Sequence, residues 1–289
     1  MHRYPLRMNE PGEAREEQPQ EAPLEEPEQE PEGKPRRRSR LPTWLRAVLV
    51  FVGECTILLF SAFGRFFRKP LEIRETFAQM AFIGVASVPI VALTTFSSGA
   101  VIALYSSDLL NQYGAASLAG AAIGLATVNE IAPVLAGIMV AARCGSAMAA
   151  QIGTMAVTEQ IDALKSLNVH PINYLVIPRL LAGMTMLPIL AMVGMYTGVL
   201  GGYVVSVFQF GIPSGLFIQS LQTFIEPIDF WKGMLKTIVF GLIVALVACQ
   251  QGLRTGGGAV GVGKATTQTV VITMVLIYLA NYFLTSVLY

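Results

Sequence analysis

Three places in the chain carry residues whose types and spacing could do chemistry. The first is GGGAVGVGKATT at residues 256–267. Gly258, four further residues and Gly263-Lys264 match all but the last position of the G-x-x-x-x-G-K-[ST] loop that cradles nucleotide phosphates. That loop needs a strand before it, a helix after it, and a Ser or Thr directly after the Lys to hold magnesium. Here Ala265 follows Lys264, Thr266 stands one place late, and the preceding stretch reads as a membrane span. ATP binding is therefore not expected in this loop. The glycines read instead as a tight turn between two spans, with Thr266 or Thr267 as the cap of the next helix.

The second and third places are Glu130 and Lys236, each inside an otherwise apolar run. An ionisable group at membrane depth is costly and is a functional candidate by default. Pro133 follows Glu130 by three residues and interrupts local helix bonding. The expectation is that Glu130 and Lys236 face a central cavity, pair across helices, and meet the polar head of a lipid whose tails lie along apolar walls. Two other readings stay open: a purely structural ion pair, and an ion-coupled secondary transporter with Glu130 as its protonatable site. The latter lacks the internal repeat and span number of common inverted-repeat designs. No Ser-His-Asp set, carboxylate pair or Cys/His metal cluster can be assembled, and no metal is expected. His170, directly before Pro171, reads as a capping or solvent-facing residue, and the three cysteines as small apolar packing groups.

The elements that must position these residues follow from composition. Of 289 residues, 53% are hydrophobic and only 13% charged, about half the charge of a soluble domain. Ten of the 19 acids are glutamates at Glu10 to Glu32, so an acidic tail precedes a basic, very apolar body. Residues 1–40, rich in Glu, Pro and Gln, read as disordered and hold no signal peptide. They end in the Arg36 to Arg40 cluster, read as facing anionic head groups on the cytoplasmic side rather than nucleic acid. Residues 41–68 are long enough to span, yet Arg46 and Glu54 interrupt them and cations flank both ends. An interfacial elbow helix is the preferred reading, with a crossing as the alternative. Five spans follow at about 77–105, 116–142, 173–207, 232–250 and 267–288. Segments 143–172 and 251–266 carry cations while 106–115 and 208–229 do not, as five spans with a cytoplasmic N-terminus require. The fold class is an all-α membrane protein.

Between the second and third spans, small residues at 145–150 permit close helix packing. The stretch TMAVTEQIDALKSL, about 154–167, then has helical spacing, with Val157, Ile161 and Leu164 on one stripe and Glu159, Asp162 and Lys165 free for polar contacts. A short cytoplasmic helix of this kind suits docking into another protein's groove, although an ordinary solvated connector has the same spacing.

The stretch NEIAPVLAGIMVAARCGSAMAAQIGTMAVTEQIDALKSLNVHPINYLVIPR resembles the signature region of the MlaE family of ABC permeases, the membrane subunits of bacterial and chloroplast lipid transporters. GGGAVGVGKATTQTVV resembles the second signature of that family. The likeness covers about residues 41–289. It implies a homodimeric permease that is not itself an enzyme and binds no cofactor. A separate ATPase subunit would bind ATP and grip the coupling helix around Glu159, Gln160, Asp162 and Leu164. It also implies a lipid-binding partner with an Mce domain on the far side, a phospholipid or similar two-tailed cargo, and the bacterial inner membrane rather than the chloroplast inner envelope. In the family the cavity carries an Arg before the Glu and an Asp in the last span. Here Asn129 stands at the Arg position, Asn281 at the Asp position, and Gln151 where relatives usually carry Glu. The lipid site expected from the likeness is thus Glu130, Lys236, Asn129 and Asn281, with cargo and direction left open.

Overall fold

A computed structural model describes residues 43–66 and 72–288, and among these every regular element is helical. The tail at 1–40 and its arginine cluster lie outside the described residues. The helices are α1 (Thr43–Phe66), α2 (Ile73–Gly84), α3 (Val88–Gln112), α4 (Ala116–Val157), α5 (Gln160–Ser166), α6 (Ile172–Gln209), α7 (Ser214–Phe224), α8 (Pro227–Leu253) and α9 (Gly258–Leu288). α4 contains wider π-helical turns at Thr127–Ile131 and Ala141–Gly145, and α6 contains them at its two ends, Ile172–Val176 and Val205–Gln209.

Six helical segments among the described residues are long and apolar enough to cross a membrane: α1, α2 with α3, α4, α6, α8 and α9. Each of the five expected spans falls within one of these segments, but the first, 77–105, is broken by a turn at 85–87 between α2 and α3, and the helices run further than the apolar runs. At 1.5 Å per residue, the 38 residues of α6 extend about 57 Å, well beyond an apolar layer of about 30 Å. α1 is as long and apolar as the others, so the elbow placement expected for it rests on Arg46, Glu54 and the flanking cations and not on a shortage of apolar residues.

Three local expectations are corrected. The glycine-rich stretch is not a loop. α9 starts at Gly258, and only residues 254–257 turn the chain, with Gly257 and Gly258 at φ of 79° and 67°. Thr266 and Thr267 therefore lie inside α9, where both hydroxyls donate to the Gly263 carbonyl, and neither caps the helix. The continuous helix expected at 154–167 is broken instead. α4 ends at Val157, Glu159 takes a left-handed φ of 59°, and α5 restarts at Gln160. Finally, the segment 208–229, read as a short loop without cations, holds the helix α7.

The core forms where α2, α4, α6, α8 and α9 meet, around Ile83, Ile138, Leu187, Leu190, Phe240, Val244 and Ile277. Backbone contact between helices sets its tightness. A Cβ on Gly99 of α3 would stand 1.9 Å from the Gly198 carbonyl oxygen of α6, and one on Gly241 of α8 would stand 2.3 Å from that of Gly183. Such contacts replace the hydrophobic drive that lipid cannot supply between helices. Hydroxyl pairs add to the α3–α6 seam: Thr95 with Thr197 at 2.7 Å and Ser107 with Ser206 at 2.9 Å. α8 begins with Pro227 in its first turn and a reciprocal cap in which Asp229 accepts from the Glu226 N–H at 3.1 Å.

Candidate functional site

Glu130 lies in the first π-helical turn of α4, where an extra residue per turn displaces it from the regular register. Pro133 has no N–H to give to the Asn129 carbonyl four residues before it. That carbonyl accepts the Lys236 ammonium of α8 at 2.9 Å. The same Nζ donates to Glu130 Oε1 at 2.8 Å and to Thr285 Oγ1 of α9 at 2.8 Å. Thr285 Oγ1 in turn donates to Glu130 Oε1 at 2.8 Å, and Asn281 Nδ2 to Glu130 Oε2 at 2.7 Å. Two consecutive helices, α8 and α9, thus converge on one carboxylate of α4, more than 100 residues earlier in the chain. The Lys236 side chain is wholly buried, whereas that of Glu130 is 39% exposed. The cation is locked in protein and the acid faces outward.

What Glu130 faces is a cavity of about 560 Å³ between α3, α4 and α9. Glu130 and Asn281 are at its wall together with Ser97 and Ser98, and Ile102, Val134, Leu135 and Tyr278 supply apolar surface. Asn281 Oδ1 is buried and has no hydrogen-bond partner among the described residues. A carboxylate and an uncommitted amide carbonyl beside apolar walls suit a ligand with polar donors at one end and hydrocarbon at the other.

The structure therefore brings together Glu130, Lys236 and Asn281 as expected. Asn129 joins them through its main-chain carbonyl. Thr285 was missed in the sequence. Its only signal was its position one turn after Asn281, on the same face of α9.

The expected docking residues lie elsewhere, at the other end of α4. Glu159, Gln160 and Asp162 are exposed, and Asp162 pairs with Lys165 at 2.7 Å. Ile161 is buried, and Leu164 packs beside it against the cluster of Leu175, Val176 and Leu180. α5 is thus held on the body by one face and offers an acidic, polar face outward. Close by, Arg179 donates to the Leu175 carbonyl at 2.8 Å and to Gln151 Oε1 at 3.3 Å. Between Glu130 and Val157 the chain is one helical stretch about 40 Å long, interrupted only by the second π-helical turn.

Comparison with known proteins agrees with this architecture. Residues 76–287 match the family described as Permease MlaE. A "Probable ABC transporter permease protein" of Rickettsia felis is 42% identical over 238 residues, covering 82% of this chain and 92% of the relative. A protein of the same description from Synechocystis is 38% identical over 253 residues, covering 87% and 94%. The Arabidopsis thaliana protein TRIGALACTOSYLDIACYLGLYCEROL 1, chloroplastic, is 34% identical over 222 residues, covering 77% of this chain and 63% of that protein. This multi-pass, all-helical chain belongs to the MlaE permease family and is a transport subunit of the ABC type.

Proposed function

We propose that the chain is the membrane-spanning part of a lipid transporter. It moves a phospholipid or similar two-tailed lipid between the bacterial inner membrane and an Mce-type carrier on the outer side. The observation that carries this reading is the half-exposed Glu130 carboxylate, fixed by Lys236, Asn281 and Thr285 at the wall of a largely apolar cavity. A lipid head with N–H or O–H donors would meet Glu130 and Asn281 Oδ1, and its tails would follow Ile102, Val134 and Leu135. The name of the Arabidopsis relative contains a diacylglycerol lipid, in keeping with a two-tailed cargo.

Two copies act together in this reading. Only 11% of the most apolar window of α9 is buried within the chain, against 61% in α6 and in α8, which leaves a large α9 surface for a second copy and for lipid. A separate ATPase supplies the energy by gripping the exposed face of Glu159, Gln160 and Asp162. Movement there reaches Glu130 along α4, whose two π-helical turns provide places to bend. The N-terminus and α5 lie on the cytoplasmic side, following the cation distribution. The ion-coupled alternative loses ground to the ABC family assignment.

The test is transfer of labelled phospholipid from vesicles holding the chain with its ATPase. Glu130→Ala is expected to abolish most ATP-driven transfer while the complex still assembles. Transfer at the wild-type rate would remove Glu130 from the mechanism.

A further inference from the structure

A second cavity, about 830 Å³, runs between α1 and α9 and has no role in the lipid path just described. Its walls are Phe51 and Val52 of α1 and Val271, Val275 and Leu279 of α9. The α9 residues recur every four positions and so form one face, distinct from the face that carries Asn281 and Thr285 to Glu130. The groove is therefore separate from the Glu130 cavity, and its volume falls in the range of ligand pockets, about 300–1,000 Å³.

Its polar end is cationic. Arg254, Lys264, Gln251 and Gln268 line it. Lys264 is exposed and forms no ion pair among the described residues. Arg254 lies 3.4 Å from Glu54, which also accepts Gln250 Nε2 at 2.6 Å, so its charge is shared. Gly256 and Gly261 form part of the same end. A Cβ at Gly261 would meet the Gly256 carbonyl oxygen, so the turn folds closely onto the start of α9, and Thr255 of the turn lines the same end. From Lys264 to Leu279 the groove runs about 22 Å along α9. That length fits one leaflet, namely a half-core of about 15 Å plus its head-group zone.

We infer that this groove holds one anionic phospholipid of the cytoplasmic leaflet as a resident lipid. Its phosphate sits against Lys264 and Arg254, and an acyl chain lies between α1 and α9. Charge complementarity selects the occupant: a net cationic end at the head-group level, above a wholly apolar slot. The phosphate-loop look of Gly258 to Lys264 then has a physical sense, with the phosphate belonging to a lipid and not to a nucleotide. The inference shares with the proposed function only the placement of residues 251–264 at the cytoplasmic surface.

The test uses the full chain in vesicles of phosphatidylcholine containing a trace of photoactivatable phosphatidylglycerol, its reactive group on the acyl chain, with adducts mapped by peptide mass spectrometry. Adducts are expected on residues 47–52 and 271–279, and a phosphatidylcholine probe should label these positions several-fold less. Lys264→Gln should lower phosphatidylglycerol labelling there about fivefold and Lys264→Arg should restore it, the size expected for one cation near an anionic head group. Val275→Trp, which fills the slot, should lower labelling by either probe. Three results would overturn the inference. One is equal labelling by both probes. Another is adducts confined to the Glu130 cavity. The third is disulfide linkage of two Val275→Cys copies with no lipid adduct in the groove, which would give it to a second copy. None of these readouts needs ATP or transport, so the groove and the transport reading can fail independently.

Discussion

Removing either half of the Glu130–Lys236 pair should have unequal consequences, because the two charges are unequally buried. Glu130→Ala leaves an ammonium with no exposed surface beside the neutral acceptors Asn129 O and Thr285 Oγ1. Breaking a buried pair this way costs about 3–5 kcal/mol, and the partial exposure of Glu130 lets water into the vacated space, placing the loss near the lower end, about 3 kcal/mol. Lys236→Met leaves a carboxylate that water reaches and that still accepts from Asn281 and Thr285. Its cost is about 1 kcal/mol. The double variant removes both charges, so no buried ammonium is left unpaired, although the shorter side chain at position 130 leaves space and Asn281 loses its acceptor. Thermal unfolding of the four purified proteins in detergent measures this, with about 2–4 °C of Tm per kcal/mol at this chain length. Glu130→Ala is expected to fall by roughly 6–12 °C, Lys236→Met by roughly 2–4 °C, and the double variant by less than Glu130→Ala alone. All three should lose lipid transfer. The reasoning is refuted if Lys236→Met is the more damaging change, or if the two losses simply add.

Three further outcomes are expected. Asn281→Asp exchanges the amide donor 2.7 Å from Glu130 Oε2 for a second acid and should destabilise the protein by about 1–3 kcal/mol; Asn129→Arg in the same chain should restore part of the loss, read as recovered Tm. Gly201→Ala would put a Cβ 2.1 Å from the Phe96 carbonyl oxygen and should cost about 1–3 kcal/mol in thermal unfolding, whereas Gly215→Ala, with nothing within 4 Å, should be neutral or slightly stabilising. Asp162→Lys breaks only an exposed pair worth less than about 1 kcal/mol, so Tm should hold; ATPase stimulation and complex assembly should nevertheless fall, and unchanged values of both would end the docking role of α5.

The long apolar helices were legible because hydropathy reports which stretches suit hydrocarbon. It does not report where helices end, since backbone bonding continues past the apolar layer; hence α4 runs to Val157 and α6 to Gln209. The start of α9 was misread because glycines usually mark turns, yet GAVGVGK keeps helical geometry once Gly257 and Gly258 have turned the chain. α7 escaped notice because eleven residues with Gln, Ser and Thr among the apolar ones give little signal in a search for spans. Within the site, Glu130 and Lys236 stood out as charges in apolar runs. Thr285 did not, because threonines in membrane helices usually bond their own backbone, as Thr185 does with the Leu181 carbonyl. The link from Glu54 of α1 to Gln250 of α8 and to Arg254 just beyond it joins residues about 200 positions apart, and no local pattern announces it.

The most direct measurement compares vesicles that hold this chain alone with vesicles that hold it together with its ATPase, each supplied with labelled phospholipid and an acceptor. Transfer is expected only in the second set, only with hydrolysable ATP. Equal transfer by the chain alone, with or without a proton gradient, would contradict a permease that is driven from its cytoplasmic face by another subunit.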